Sequence, residues 1–225
     1  PSSSSSGSSN VTDRAWVGHL RELLDEVEAA DGPKGLVTTG SGRHYSNGLD
    51  VGFMSTASEE EVSEYVGGVL QVVRRLMLLP MPTAAAVNGH AFGIGAFLVL
   101  AHDQAVMRSD RGYFCLPEVH LSMPIPAPLM DILRAALPPR TLRQATATGH
   151  RYGGPEATAA GIVAEGREHW IHDTEATGLA IRVSPAGRGV YYLTRKIDGR
   201  LVRARIAPVT GISHTEARTE AKKLA

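Results

Sequence analysis

The chain has 225 residues, 43% of them hydrophobic, and its 23 Lys+Arg are balanced by 23 Asp+Glu. That length suits one large domain or two small ones, and the composition supports a packed core. No apolar run is long enough to cross a bilayer, and no secretory signal is visible, although the chain begins at Pro1 rather than Met. The single Cys115 excludes an internal disulfide and fits a reducing, cytoplasmic setting, with its thiol buried as a small hydrophobe. Net neutrality hides an asymmetry: residues 1–166 carry 12 Lys+Arg against 17 Asp+Glu, and residues 167–225 carry 11 against 6. Opposite signs in two segments suggest two units with different partners.

Pro1 to Asn10 is almost entirely serine and cannot bury apolar area, so residues 1–12 are expected to form a disordered tail. From Trp16 the residues Leu20, Leu23, Leu24 and Val27 recur at helical spacing, with Thr12 or Asp13 as N-cap. Asp31-Gly32-Pro33 ends that helix, Leu36–Thr39 reads as a strand, and Gly40-Ser41-Gly42 as a turn. A second glycine turn, Ser46-Asn47-Gly48-Leu49-Asp50, follows. Ser58 with Glu61 makes a capping-box signature and opens a helix whose inner stripe is Val62, Tyr65, Val66, Val69, Val73 and Leu76.

Ala84–Val87 is a short apolar run closed by Asn88-Gly89, and Gly89, Gly93 and Gly95 precede an all-apolar stretch, Ala96–Ala101. A strand, a glycine turn and a helix start leave backbone N–H groups free to hold a negative oxygen or phosphate. A tightly packed strand–helix turn explains the same pattern equally well. Gln104–Met107 reads as a further strand. Leu116-Pro117-Glu118-Val119 lies in a proline-bounded loop, and helices are expected around 129–136, 141–148 and 155–160. Strands alternating with helices give an α/β class.

After Glu165 the texture changes. Three strands (179–183, 190–194 and 201–206), a hairpin turn at Asp198-Gly199, and a helix from Thr215 capped by Ser213 with Glu216 make a small α+β unit. No internal repeat is visible. His169 and His172 would share a face of a helix, yet no third ligand stands at a matching spacing, so no metal site is expected. His90 reads as packed or hydrogen-bonded. There is neither a phosphate loop of the Gly-Lys-Ser/Thr kind nor a serine nucleophile elbow.

Taken together, Ser46-Asn47-Gly48-Leu49-Asp50, Asn88-Gly89-His90-Ala91 with Gly93-Ile94-Gly95, and Pro117-Glu118 resemble the enoyl-CoA hydratase/isomerase (crotonase) family over about residues 20–163. The wording of 79–83, 88–91 and 107–112 is most similar to the Δ3,Δ2-enoyl-CoA isomerases. The resemblance implies a ββα superhelix spanning 13–166. It also implies that the N–H groups of Leu49 and Ile94 hold a thioester oxygen as it becomes an enolate, with Ser46, Asn47, Gly48, Asp50 and Gly93 lining the substrate. Asp50 is expected to fix its turn through backbone hydrogen bonds. Family hydratases use two glutamates; here Phe97 stands at the position of the first and Glu118 at the second. One carboxylate suits a double-bond shift by a single base. Glu118 is therefore the expected shuttle base, its apolar neighbours raising its pKa; read alone, it is a loop carboxylate facing water. Acyl-CoA is then the substrate in fatty acid metabolism, and no cofactor is implied.

The basic segment 170–224 resembles the N-terminal DNA-binding domain of phage-type tyrosine-recombinase integrases. The resemblance rests on Asp173-Thr174, Gly178–Val183, Tyr191-Tyr192, Asp198-Gly199-Arg200 and Ser213–Arg218. It implies phosphate contacts from Arg195, Lys196, Arg200, Arg203 and Arg205; a solvated basic hairpin face is the alternative. Crotonase-family members ordinarily begin with strands and end with helices that enclose the acyl-CoA and assemble a homo-oligomer. The serine tract and the 167–225 segment stand in those places. The superhelix is thus expected to be incomplete at both ends, and the chain to be a junction of two gene fragments.

Overall fold

The structure, a computed structural model, describes residues 10–32, 34–164, 169–172, 177–183, 189–197, 200–208 and 212–224. The serine tract up to residue 9, Asp173-Thr174 and the Asp198-Gly199 turn lie outside the described residues. The chain falls into two compact units, Pro1–Glu165 and Gly166–Ala225.

The first unit starts with β1 (Val11–Thr12) and α1 (Arg14–Ala29), and continues through β2 (Leu36–Thr39), β3 (His44–Ser46), β4 (Gly48–Leu49), α2 (Val51–Met54) and α3 (Glu59–Met77). Next come β5 (Thr83–Val87), β6 (His90–Phe92), α4 (Ile94–Leu100), β7 (Gln104–Met107) and β8 (Phe114–Cys115). A 3₁₀ turn at Pro117–Leu121 and three helices, α5 (Ala127–Ala136), α6 (Pro139–Thr148) and α7 (Gly154–Ala159), complete it. Two parallel sheets result, in the orders β2-β5-β7 and β3-β6-β8. Successive passes of the chain therefore add one strand to each sheet and then turn into a helix, which is a ββα superhelix.

That structural repeat is invisible as a sequence repeat, because the strands of the second sheet are only two or three residues long. The expected tail also ends sooner than residue 12. Thr12 is buried and its hydroxyl donates to the Gly48 carbonyl at 2.9 Å, while β1 pairs in parallel with β4. The Asn10 amide adds a bond to the Ser41 carbonyl at 2.9 Å. Polar hydrogen bonding, not apolar burial, recruits these residues, so composition carries no sign of it.

Helix starts follow their local chemistry. Asp13 caps α1 by accepting the Trp16 N–H at 2.7 Å, and Ser58 and Glu61 form the reciprocal capping box of α3. The α3 stripe buries Tyr65, Val69, Val72, Val73 and Leu76 against the core. Helix α4 is apolar all round and buried from Ile94 to Val99, as a helix enclosed by strands must be.

The carboxyl end of α4 is pinned by a buried polar chain. His102 Nδ1 donates to the Leu98 carbonyl at 2.7 Å, so the neutral ring accepts at Nε2 from the Thr38 hydroxyl at 3.0 Å. Thr38 in turn accepts from the Tyr45 hydroxyl at 2.7 Å, and burial pushes that phenol up to about 12. One link further on, Asp103 accepts the Thr83 N–H at 2.8 Å and returns its own N–H to the Thr83 hydroxyl at 2.9 Å.

The second unit is an antiparallel sheet in the order β12-β11-β10-β9, with β9 (His169–His172), β10 (Leu179–Val183), β11 (Gly189–Ile197) and β12 (Arg200–Pro208), followed by α8 (His214–Leu224). It has four strands among the described residues where three are expected, because His169–His172 pairs with β10 as a further strand. Ser213 and Glu216 close a capping box on α8, and Ala217 and Ala221 pack with Leu179, Tyr191 and Leu193. The register pairs Ile197 with Arg200 across the β11–β12 connection.

Burial holds His102 below its ordinary pKa of 6.5, partly offset by its bond to Leu98. A histidine whose folded pKa is depressed contributes stability above its unfolded value and loses it as pH falls. His44 and His90 shift the same way. Thermal unfolding should accordingly show Tm dropping as the buffer is lowered from about pH 7 to about pH 5. In His102→Gln that slope should be shallower, at a cost of roughly 1–3 kcal/mol for the unpaired groups left behind.

Candidate active site

Two glycine turns meet at the start of α4. Gly93 adopts φ 52°, ψ −123°, a conformation strained for residues with a Cβ, and its N–H donates to the Cys115 carbonyl at 3.1 Å. Ile94 is then the first helical residue, and its N–H is one of the donors that no carbonyl of its own helix can reach. Gly95 is the point of contact between the turns: a Cβ there would stand 2.5 Å from the Ser46 carbonyl oxygen and 2.8 Å from its Cβ.

The partner turn is held from the other side. Gly48 has φ +94°, and its N–H donates to the Ser46 hydroxyl at 3.3 Å. Asp50 caps α2 by accepting the Phe53 N–H at 2.9 Å, which is a turn-fixing role. Tyr65 supplies a clamp, where its sequence pattern marks only a member of the apolar stripe of α3. Its hydroxyl accepts the Asp50 N–H at 2.9 Å and donates to the Thr12 carbonyl. Phe53 packs edge-on against the same ring at 5.6 Å. No signal in the sequence separates Tyr65 from a plain core aromatic, because its partners are backbone groups brought in by β1 and β4.

Leu49, Ile94, Phe97 and Glu118 line one cavity of about 230 Å³, whose remaining walls are aliphatic, methionine and proline side chains. Phe97 is 1% exposed and closes the floor. Glu118 enters from the 3₁₀ turn at Pro117–Leu121, which Pro117 starts and Ser122, in a left-handed conformation, ends. A Cβ on Gly93 would lie 3.5 Å from Glu118 Oε1, so the carboxyl sits over the beginning of α4. Its Oε2 is buried without a hydrogen-bond partner among the described residues. Desolvation holds the carboxyl above the ordinary glutamate pKa, with its own backbone N–H opposing in part. Glu118 is therefore not a loop carboxylate facing water.

Of the other residues singled out in these turns, Ser46 and Gly48 are buried, Asn47 is exposed with its N–H bonded to the Asn10 carbonyl at 3.1 Å, and none of the three lines the cavity. His90 packs at 5.1 Å from His44 and 5.0 Å from Phe92, away from the cavity. Cys115 is buried, its thiol 3.3 Å from the Gly149 carbonyl. Among the described residues no group of three or more metal-binding side chains converges, and no helix is long and apolar enough to cross a membrane. In the second unit Arg205 is exposed on β12; the side chains of Arg195, Lys196, Arg200 and Arg203 lie outside what is described.

A ββα superhelix with two converging turns and an apolar cavity is the crotonase architecture. It superposes on an enoyl-CoA hydratase from Mycobacterium ulcerans with a TM-score of 0.67, at 29% identity over 71% of this chain and 69% of the other. Two structures from Mycobacterium tuberculosis, one named an enoyl-CoA isomerase and the other a probable enoyl-CoA hydratase, each give 0.66 at 29% identity, over 71% and 70% of this chain and 69% and 66% of the other. Residues 8–167 match the family model described as enoyl-CoA hydratase/isomerase, and the chain belongs to that family. Among curated relatives, enoyl-CoA delta isomerase 3 of Arabidopsis thaliana is 32% identical over 80% of this chain and 79% of its own length. The peroxisomal enoyl-CoA delta isomerase 2 of the same plant is 36% identical over 57% of this chain, and the match spans 56% of that protein. The reading of the C-terminal segment as an integrase-type DNA-binding module finds no support among these relatives.

Two substitutions test the geometry. Gly95→Ala must push the turn at Ser46 away from α4, and should lower acyl-CoA affinity or turnover at least tenfold while circular dichroism stays native. Tyr65→Phe leaves the Asp50 N–H and Thr12 carbonyl unpaired, and should cost about 1–3 kcal/mol in denaturant unfolding.

Proposed function

We propose that the first unit shifts the double bond of a 3-enoyl-CoA to give the 2-enoyl-CoA. The observation that carries this reading is the lone Glu118 carboxyl, its Oε2 without a hydrogen-bond partner among the described residues, in an apolar cavity shared with Leu49 and Ile94. Glu118 takes a proton from C2, and the C–H electron pair moves into the thioester, whose oxygen becomes the enolate. The N–H groups of Leu49 and Ile94 hold that oxygen, and preorganised donors of this kind contribute about 3–4 kcal/mol each. The dienolate then collapses, C4 recovers the proton from Glu118, and the new double bond lies between C2 and C3. The base ends as it began, with no electrons gained or lost, so the chemistry calls for no redox cofactor and the CoA thioester is substrate alone.

Hydration would need a second group to orient water. Phe97 fills the floor where that group would stand, and no phenyl ring can orient or deprotonate water. Three curated relatives are named delta isomerases, which is consistent with this assignment.

Incubating purified protein with 3-hexenoyl-CoA and following the conjugated product by ultraviolet absorbance tests the proposal. Glu118→Gln should reduce kcat by roughly 10²–10⁴-fold. The acid limb of the pH–rate profile should lie above the range of an ordinary carboxylate, because the base must be ionised and burial raises its pKa. A carboxyl raised on folding costs stability as pH rises from its unfolded toward its folded value, so Glu118→Gln should unfold no earlier than the parent at neutral pH. Failure to form product, or full activity in Glu118→Gln, would overturn the assignment.

A further inference from the structure

Among the described residues, Asn10 and Ser122 alone combine a side chain with a left-handed backbone, at φ 47° and φ 53°. Ser122 ends the 3₁₀ turn that carries Glu118. Asn10 stands at the other half of the site, beside the turn that carries Leu49. A conformation of this kind persists only where surrounding bonds hold it, and asparagine is among the residues that tolerate it best.

The bonds of Asn10 run to one short segment. Its side-chain amide donates to the Ser41 carbonyl at 2.9 Å and to the His44 carbonyl at 2.5 Å. Its amide oxygen accepts the Ser41 hydroxyl at 3.3 Å, and its main-chain carbonyl accepts the Asn47 N–H at 3.1 Å. Asn10 therefore holds both ends of β3. Thr12 holds the next step of the chain: its hydroxyl donates to the Gly48 carbonyl at 2.9 Å, its own carbonyl accepts the Tyr65 hydroxyl, and β1 pairs Thr12 with Leu49. The two residues that precede Leu49 are thus tied to Asn10 and Thr12, and Asp50, which follows it, is tied to Tyr65.

We infer that Asn10 and Thr12 are positioning residues for the donor at Leu49, forming a polar strut that fixes where its N–H points. The role of that N–H rests on the isomerase reading, in which it holds the enolate oxygen. Gly48, at φ +94°, gives the turn no stiffness of its own, and Asn47 is exposed, so packing does not enclose this side. The close contact of Gly95 with Ser46 resists compression of the turn against α4 but cannot pull it back. Hydrogen bonds can, and those from Asn10 and Thr12 supply the attraction that the contact lacks. A catalytic group displaced by about 1 Å loses on the order of 10²-fold in rate, so a strut of this kind acts on kcat without touching substrate.

Three readouts separate positioning from folding: kcat and KM on 3-hexenoyl-CoA, the denaturant midpoint, and the absorbance of bound 2,4-hexadienoyl-CoA. Donors at the thioester oxygen polarise that conjugated chromophore and move its absorption to longer wavelength, so the shift reports the donors without turnover. Asn10→Gly keeps a left-handed backbone at no steric cost and removes only the side-chain bonds. It should lower kcat by about 10–100-fold, leave KM within roughly threefold of the parent, and lose most of the red shift. Thr12→Val should act in the same direction, and Thr12→Ser, which keeps the hydroxyl, should restore both kcat and the shift. Should Asn10→Gly fail to fold, the Thr12 pair decides by itself. Variants that unfold earlier yet keep the parental kcat and red shift would overturn the inference, as would a parent that shows no red shift. A shift present in the parent and lost in the variants, with no turnover by any of them, would support the strut and overturn the isomerase reading. Turnover with kcat and shift unmoved in the variants leaves the isomerase reading standing and removes the strut.

Discussion

The backbone at Gly95 lies so close to Ser46 that even a methyl group would collide with a carbonyl oxygen, at 2.5 Å. This contact joins two turns that are 47 to 49 residues apart in sequence (Ser46–Gly93 to Ser46–Gly95). Each turn is anchored independently of the other. Gly93 is tied to Cys115 on β8, and the Leu49 turn is tied through Asp50 and Thr12 to the Tyr65 hydroxyl on α3. Because the anchors lie on different elements of the superhelix, the spacing of the turns is set by the packing of the whole unit. A preorganised pair of donors needs that kind of support, since a site held by loops alone would relax around any charge it was meant to meet.

The same helix carries the constraint to the far side of the unit. Helix α4 starts at the cavity and ends at the Leu98–His102–Thr38–Tyr45 chain of hydrogen bonds. An all-apolar helix has no polar face to fix its rotation or its axial position, and aliphatic packing tolerates small slides. A satisfied polar chain at one end supplies the registration that the apolar walls do not, and Thr83 with Asp103 repeats the device one connection later. Site geometry at Ile94 therefore depends on a histidine that never approaches the cavity.

What was legible in the sequence followed period and cap chemistry. The α1 and α3 stripes, the Ser58–Glu61 and Ser213–Glu216 boxes and the first-sheet strands are local patterns, and the structure has them. The strands β3, β6 and β8 were not legible, because two or three residues cannot display an alternation. Nor was β1, whose burial is due to Thr12 and its bond to Gly48. At the site, Glu118 and the turns could be named from residue order, while Tyr65 could not, since its bonding partners are main-chain atoms that any residue could supply. In the second unit the strand β9 carries no clear signal, because His169–His172 offers two histidines where a strand pattern would be hydrophobic.

The position of Glu118 sets burial against chemistry. A buried carboxyl oxygen without a hydrogen-bond partner, as Glu118 Oε2 is among the described residues, is a liability for folding, and each polar neighbour that relieved it would also lower its basicity. The cavity offers none among the described residues: its walls are aliphatic, methionine, proline and phenylalanine side chains. A second carboxylate at residue 97 would share the cavity with Glu118, and two like charges close together raise one pKa strongly, leaving one group protonated near neutrality. Such a pair can hold and polarise water, one member acting as acid and the other as base. Phe97 removes that possibility and leaves Glu118 as the one carboxyl on the cavity wall. On the proposed reading, that single base serves both transfers, taking the proton at C2 and returning it at C4.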